Sequence, residues 1–161
     1  DLGMSRGLGD VYKRQGRSSV ENGLEEDIKE NFKSYNVGFH RHQPEIKDFL
    51  KTEFNLDHEI IFIPHLLPLF RGEYVTLYCE VSQNDLDLNE LYESYYEKHK
   101  LVRIKEKGEI AEIKEVINTF YCDISVSYAF QSNTIIVNSA IDNLLKGAAS
   151  QAIQCLDIMS S

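Results

Sequence analysis

Across residues 73–81 the side chains alternate in character, with Val75, Leu77, Cys79 and Val81 on one parity and Tyr74, Thr76, Tyr78 and Glu80 on the other. Successive side chains of a strand point to opposite faces, so a period of two predicts a strand with one face buried. A second alternating run, 121–128, sets Ile124, Val126 and Tyr128 against Ser125 and Ser127. Turn residues at 131–133 then lead into 134–137, which predicts a hairpin. Two shorter runs, 59–63 and 101–104, also read as strands, the first ending in a rigid loop where Pro64 and Pro68 forbid regular structure. Helical spacing appears elsewhere. Leu24, Ile28 and Phe32 recur every four residues, and Ile46, Phe49 and Leu50 form a buried stripe behind Pro44 that stops at 55–58. Asp87 and Glu90 form a capping pair ahead of Leu88, Leu91, Tyr92 and Tyr95, whose tyrosines read as packing residues. A long final helix with a wide apolar face runs from Asp142-Asn143 through Leu144, Leu145, Ile153 and Leu156 to Met159. Strands grouped between helices, without regular alternation, predict an α+β domain with a mainly antiparallel sheet.

A chain of 161 residues is long enough to bury a core of its own as one domain. Its 17 Lys and Arg against 26 Asp and Glu leave a formal charge of -9, which argues against nucleic acid or an anionic membrane as the main partner. No apolar run approaches the roughly 20 residues that span a bilayer. Cys79, Cys122 and Cys155 sit among apolar neighbours without paired or metal-type spacing, and read as reduced, buried thiols of a cytoplasmic protein. The charged stretch 105–114 reads as a solvated connection. Residues 1–15 show neither helical nor strand period and read as foreign to the domain, which is taken to run over 16–161.

Two segments carry chemistry. His40-Arg41-His42-Gln43-Pro44-Glu45-Ile46 places two imidazoles, a guanidinium and a carboxylate within seven positions. Pro44 suits a first helical turn and pushes Gln43 toward extended backbone, so residues 40–43 are expected to enter the helix extended, with His40 and His42 on one side. Imidazole is matched to proton transfer near neutral pH, and Glu45 would suit the positive end of the helix. The same spacing also fits one His capping a buried turn and the other solvated. The second segment, Asp142-Asn143-Leu144-Leu145-Lys146-Gly147-Ala148-Ala149, opens the last helix with two cap-type residues and continues with small ones. The Asn143 amide can both donate and accept, as recognition of another carboxamide requires. Gly147 costs a helix about 1 kcal/mol relative to Ala, which points either to a ligand or to close packing.

These segments recur in order with Pro64-His65-Leu66-Leu67-Pro68, Arg71-Gly72, Asn118-x-x-Tyr121-Cys122-Asp123-Ile124 and Ser139-Ala140-Ile141-Asp142-Asn143-Leu144. In that order and spacing the chain resembles the C-terminal half of the N-acetyl-gamma-glutamyl-phosphate reductase family, from about Gly16 to Met159. The last motif is partly shared with aspartate-semialdehyde dehydrogenase. The resemblance implies a glyceraldehyde-3-phosphate dehydrogenase-like C-terminal domain, paired in the family with a nucleotide-binding Rossmann domain. It implies NADPH-dependent reduction of an acyl phosphate to an aldehyde: a cysteine thiolate attacks, phosphate leaves, and hydride reduces the thioester. By position His42 matches the histidine that pairs with the thiolate and handles protons. His40, Glu45 and Arg71 match substrate-binding positions, and Asn143 would face the nicotinamide carboxamide with Gly147 nearby. The expected partners are a small acyl-phosphate substrate, the Rossmann half and a second copy of the chain.

The nucleophile of the family lies in a Pro-Gly-Cys-Tyr type segment, and none of Cys79, Cys122 and Cys155 has that context. No Gly-x-Gly-x-x-Gly follows a strand either. The sequence is therefore expected to be a piece of the enzyme that is inactive alone. The other readings are a related reductase of lysine biosynthesis and a non-catalytic interaction module of the same fold.

Overall fold

The computed structural model describes residues 30–82 and 85–160. Stretch 1–15, and most of the helix expected from Leu24, Ile28 and Phe32, lie outside the described residues. The chain divides into two compact units that meet in sequence at Leu69 and Phe70.

In the first unit, strand β1 (Lys33–Ser34) pairs antiparallel with β2 (His65–Leu66), and helix α1 spans His42–Phe54. The helix starts earlier than Pro44 implied: Arg41 is its N-cap at φ -59 and ψ -25, so residues 40–43 do not enter extended. Pro44 still suits its place, since the first turn has no use for the N–H that proline lacks. Asn55 stops the helix at φ 54, donating its N–H back to the last-turn carbonyls. The run 59–63 is not a strand, because β-branched residues need a neighbouring ladder and none of the described residues supplies one; Ile61 is 87% exposed. The pairing falls instead on His65–Leu66, between the two prolines, where both residues keep their N–H groups. The expected stripe of α1 is not buried either, and Phe49 stands largely in solvent.

The second unit is built on a four-stranded sheet in the order β3-β6-β5-β4. Strand β3 (Glu73–Glu80) pairs antiparallel with β6 (Thr134–Ile141), which returns as a hairpin from β5 (Cys122–Tyr128). The short β4 (Val102–Ile104) lies parallel to β5, the one parallel pair of this sheet. Helix α2 (Leu88–Tyr96) opens as the sequence predicts, with Asp87 Oδ1 accepting the Glu90 N–H at 3.2 Å. Ala111, Val116 and Ala140 form the core with Tyr74 against it, Val116 lying in the one-turn helix α3 (Ile113–Val116). Within stretch 105–114, residues 106–110 are exposed, as a solvated link implies, whereas Lys105 and Ala111 on either side of them are covered. Lys105 is largely covered and pairs with Glu115 at 2.9 Å, while the fully buried Asp123 takes a two-pronged contact from Arg103 at 2.6 and 2.8 Å.

Three apolar expectations fail in a common way. The alternation of β3 is right, but Val75 and Leu77 are 45% and 51% exposed, so its apolar face is not buried. The final helix begins as a π-helix (Leu145–Ala149) and continues as α4 (Ser150–Ser160), with no buried side chain in either. The three cysteines are free and only partly buried. A pattern marks a face that must be covered; it does not say that the same chain covers it.

At Gly72 the sheet meets α3. Its φ of +115 is open only to glycine, and a Cβ there would run into the Ile113 side chain. Gly72→Ala is expected to destabilise this unit by about 2–4 kcal/mol, the sum of backbone strain and overpacking. Denaturant unfolding measures the loss, and Ile113→Ala in the same protein should recover only the steric part.

Candidate active site

The six residues singled out from the sequence fall three to each unit. In the first, His40 is buried and hemmed in by rings: Phe62 at 5.1 Å, Tyr35 at 5.6 Å and His42 at 4.6 Å between centroids. The two imidazoles meet because His42 opens α1. Its backbone N–H, one of the donors a helix start leaves over, is accepted by His40 Nδ1 at 3.2 Å. That bond leaves the His40 proton on Nε2. Burial, then the neighbouring His42 and Arg41, push the His40 pKa below its ordinary value, with Glu45 as the smaller opposing influence. His40 is thus held toward the neutral form, while His42 is only partly buried, with Phe62 at 5.9 Å from its ring. Glu45 sits exposed in the first turn of α1, as expected.

A titration follows from this. The His40 imidazole should protonate below about 6.5, the ordinary value for histidine. The unfolded chain takes up that proton first as the pH falls, so the stability associated with neutral His40 is present above about pH 6.5 and is lost as the pH drops toward the folded value. Histidine ring resonances followed by NMR against pH would show it; a His40 midpoint at or above 6.5 contradicts the neutral assignment.

The second group gathers around Asp142, a residue of helix-cap type by its sequence. Asp142 is fully buried; its Oδ1 accepts the N–H groups of Leu144 and Leu145 at 2.9 and 3.0 Å. Its Oδ2 accepts the Asn118 N–H at 2.8 Å and lies 3.3 Å from Arg71 Nη1. The same Arg71 Nη1 donates to Asn118 Oδ1. Arg71 is therefore committed to a buried carboxylate, while its Nε is buried without a partner. With the first N–H groups taken by Asp142, the helix opens on i→i−5 bonds, Gly147 N–H to the Asp142 carbonyl at 3.0 Å and Ala149 N–H to Leu144 at 3.2 Å. A Cβ on Gly147 would meet Ile141 Cδ1 at 3.3 Å, a tight contact with the end of a flexible side chain.

Asn143, 5% exposed, lies within this frame, its Oδ1 accepting the Gly72 N–H at 2.6 Å. Since an N–H must meet an oxygen, the amide orientation is set. Nδ2 has no acceptor among the described residues, and it can donate to one ligand oxygen. The arrangement suits a ligand carbonyl or carboxamide, including that of a nicotinamide. Burial pushes the Cys79 and Cys122 thiols up, the wrong direction for a nucleophile. Among the described residues there is no group of side chains able to hold a metal, and no helix long and apolar enough to cross a membrane. The signal for the Asp142 hub was present in the sequence as an Asp-Asn pair directly after a strand, beside Asn118 and Arg71 of the other motifs.

The family model described as semialdehyde dehydrogenase, dimerisation domain, matches residues 12–143. Among curated proteins, the N-acetyl-gamma-glutamyl-phosphate reductase of Thermoanaerobacter sp. (strain X514) is 39% identical over 147 residues, which cover 89% of this chain and 42% of the relative. That of Staphylococcus saprophyticus is 38% identical over 146 residues, covering 89% and 43%. The chain thus spans less than half the length of these relatives. Among solved structures, a probable aspartate-semialdehyde dehydrogenase from Pseudomonas aeruginosa superposes with a TM-score of 0.71 over 95% of this chain and 52% of that one, at 13% identity. A likeness at that identity speaks for the fold.

Proposed function

Because the chain belongs to the semialdehyde dehydrogenase dimerisation-domain family, we propose that it is the catalytic and dimerising part of an NADPH-dependent reductase. The reaction is conversion of N-acetyl-gamma-glutamyl phosphate to N-acetylglutamate semialdehyde, in arginine biosynthesis. The domain runs over 16–161, residues 1–15 being foreign to it, and the enzyme works as a cytoplasmic homo-oligomer. The observation that carries this reading is the 39% identity to a reductase of that name across 89% of the chain.

In this reading the nucleophile is a cysteine other than Cys79, Cys122 and Cys155. His42 would hold that thiol as thiolate, lend a proton to the oxygen of the tetrahedral species formed when hydride adds to the thioester, and take it back as the aldehyde forms and the thiolate leaves. A neutral His40 beside it makes this possible: two adjacent imidazolium rings would repel, whereas one neutral ring lets His42 carry the charge. His40, Glu45 and Arg71 are assigned to the substrate side, His40 and Arg71 through the elements they fix. Asn143 Nδ2 would hold the nicotinamide carboxamide, with Gly147 nearby. The reduced nucleotide supplies the hydride.

The test is the complete reading frame, expressed and assayed for phosphate-dependent oxidation of N-acetylglutamate semialdehyde by NADP, the reverse direction. Turnover supports the reading. Turnover only with a lysine-pathway semialdehyde would move the substrate while keeping the class, and no turnover with either would favour an interaction module.

A further inference from the structure

Resting on that functional reading, the geometry points to Asp142 as a positioning residue that turns Asn143 into a one-way hydrogen-bond donor toward the nicotinamide carboxamide oxygen. A free asparagine amide can present either its oxygen or its nitrogen, and rotating it by half a turn exchanges the two at little cost. Here that freedom is removed. The Gly72 N–H occupies Oδ1 at 2.6 Å, so only Nδ2 remains for a ligand. The Gly72 N–H is itself aimed by what holds the residue before it: Arg71 is drawn to Asp142 Oδ2 at 3.3 Å and to Asn118 Oδ1. The other oxygen of the same carboxylate fastens the start of the final helix through Leu144 and Leu145. One buried carboxylate therefore ties the segment that supplies the Gly72 donor to the segment that carries the Asn143 acceptor. Asp142 touches no ligand in this scheme; it acts through Asn143.

Asn143 lies 95% out of solvent, and its amide nitrogen has no acceptor among the described residues yet is not sealed off, so it stays within reach of a ligand oxygen. The chemistry required is a carbonyl acceptor that can approach the start of this helix, where Gly147 beside Asn143 adds no side chain. A nicotinamide carboxamide has that acceptor.

The experiment measures binding without turnover, in the full-length enzyme. NADPH dissociation constants come from its fluorescence, and those of adenosine 2′,5′-bisphosphate, which carries the adenine end but no nicotinamide, from its competition with NADPH. Asp142→Asn keeps an oxygen for the Leu144 and Leu145 N–H groups but loses the charge that draws in Arg71. It should weaken NADPH about tenfold and leave the bisphosphate unchanged. Arg71→Gln, which alters a partly exposed side chain and leaves Asp142 in place, should weaken NADPH in the same selective way, and it carries the comparison if Asp142→Asn does not fold. Equal weakening of both ligands would mean general disruption, and no weakening of either would mean that Asn143 needs no such support; each overturns the proposal. If the unaltered enzyme binds neither ligand, the functional reading falls, and the proposal with it.

Discussion

His42→Asn in the full-length enzyme is expected to lower turnover by about 10²- to 10⁴-fold, the range lost with a general acid or base. His42 begins α1 beside a neutral partner, with its backbone N–H held by His40 Nδ1. Asparagine can keep that backbone bond, because the bond does not involve the side chain at 42, so folding should be little changed while proton transfer is lost. The nucleophilic thiol should titrate higher in the variant, since the imidazolium that favours thiolate is gone. Steady-state rates and a pH profile of thiol alkylation decide the matter. His40→Asn is the control. It removes a buried ring packed on Phe62 and Tyr35, so its expected effect is on stability and substrate affinity. If His40→Asn abolishes turnover and His42→Asn leaves rate and alkylation untouched, the roles assigned to the two rings are exchanged.

The largest stability effect is expected from Asp142→Ala, about 3–5 kcal/mol. The carboxylate is fully buried, and removing it orphans three backbone N–H groups, of Asn118, Leu144 and Leu145, while stripping Arg71 of its counter-charge. Losing a helix cap alone would cost about 1 kcal/mol. The excess is what separates a hub joining three segments from the simple cap that the sequence suggests. Denaturant unfolding gives the total, and hydrogen exchange at the three amides locates it; a loss near 1 kcal/mol, confined to the helix start, would restore the cap reading.

The sequence by itself determined the elements whose signals are local. The alternation over 73–81, the hairpin through 131–133, the Asp87 cap and the stop at Asn55 all depend on backbone preferences within a few residues, and each is found in place. The motifs also carried the family and the two chemical segments, because the order of side chains along a chain survives without any contact being known. The tertiary structure decided what long-range contacts decide. Residues 59–63 have strand character but no ladder partner, whereas His65–Leu66 found one in Lys33–Ser34. The apolar faces of β3 and α4 were legible as faces, yet nothing in a periodicity says whether the same chain covers them, and here Val75, Leu77 and Leu156 remain in the open. His40 and His42 differ in burial because, although both rings meet Phe62, only His40 also meets Tyr35, partners 22 positions ahead of His40 and five behind it, chosen by packing. Asp142 became a hub for the same reason. Its partners Arg71 and Asn118 lie 71 and 24 residues away, and only the pairing of β3 with β6, which sets Glu73 opposite Ile141, brings them to one carboxylate.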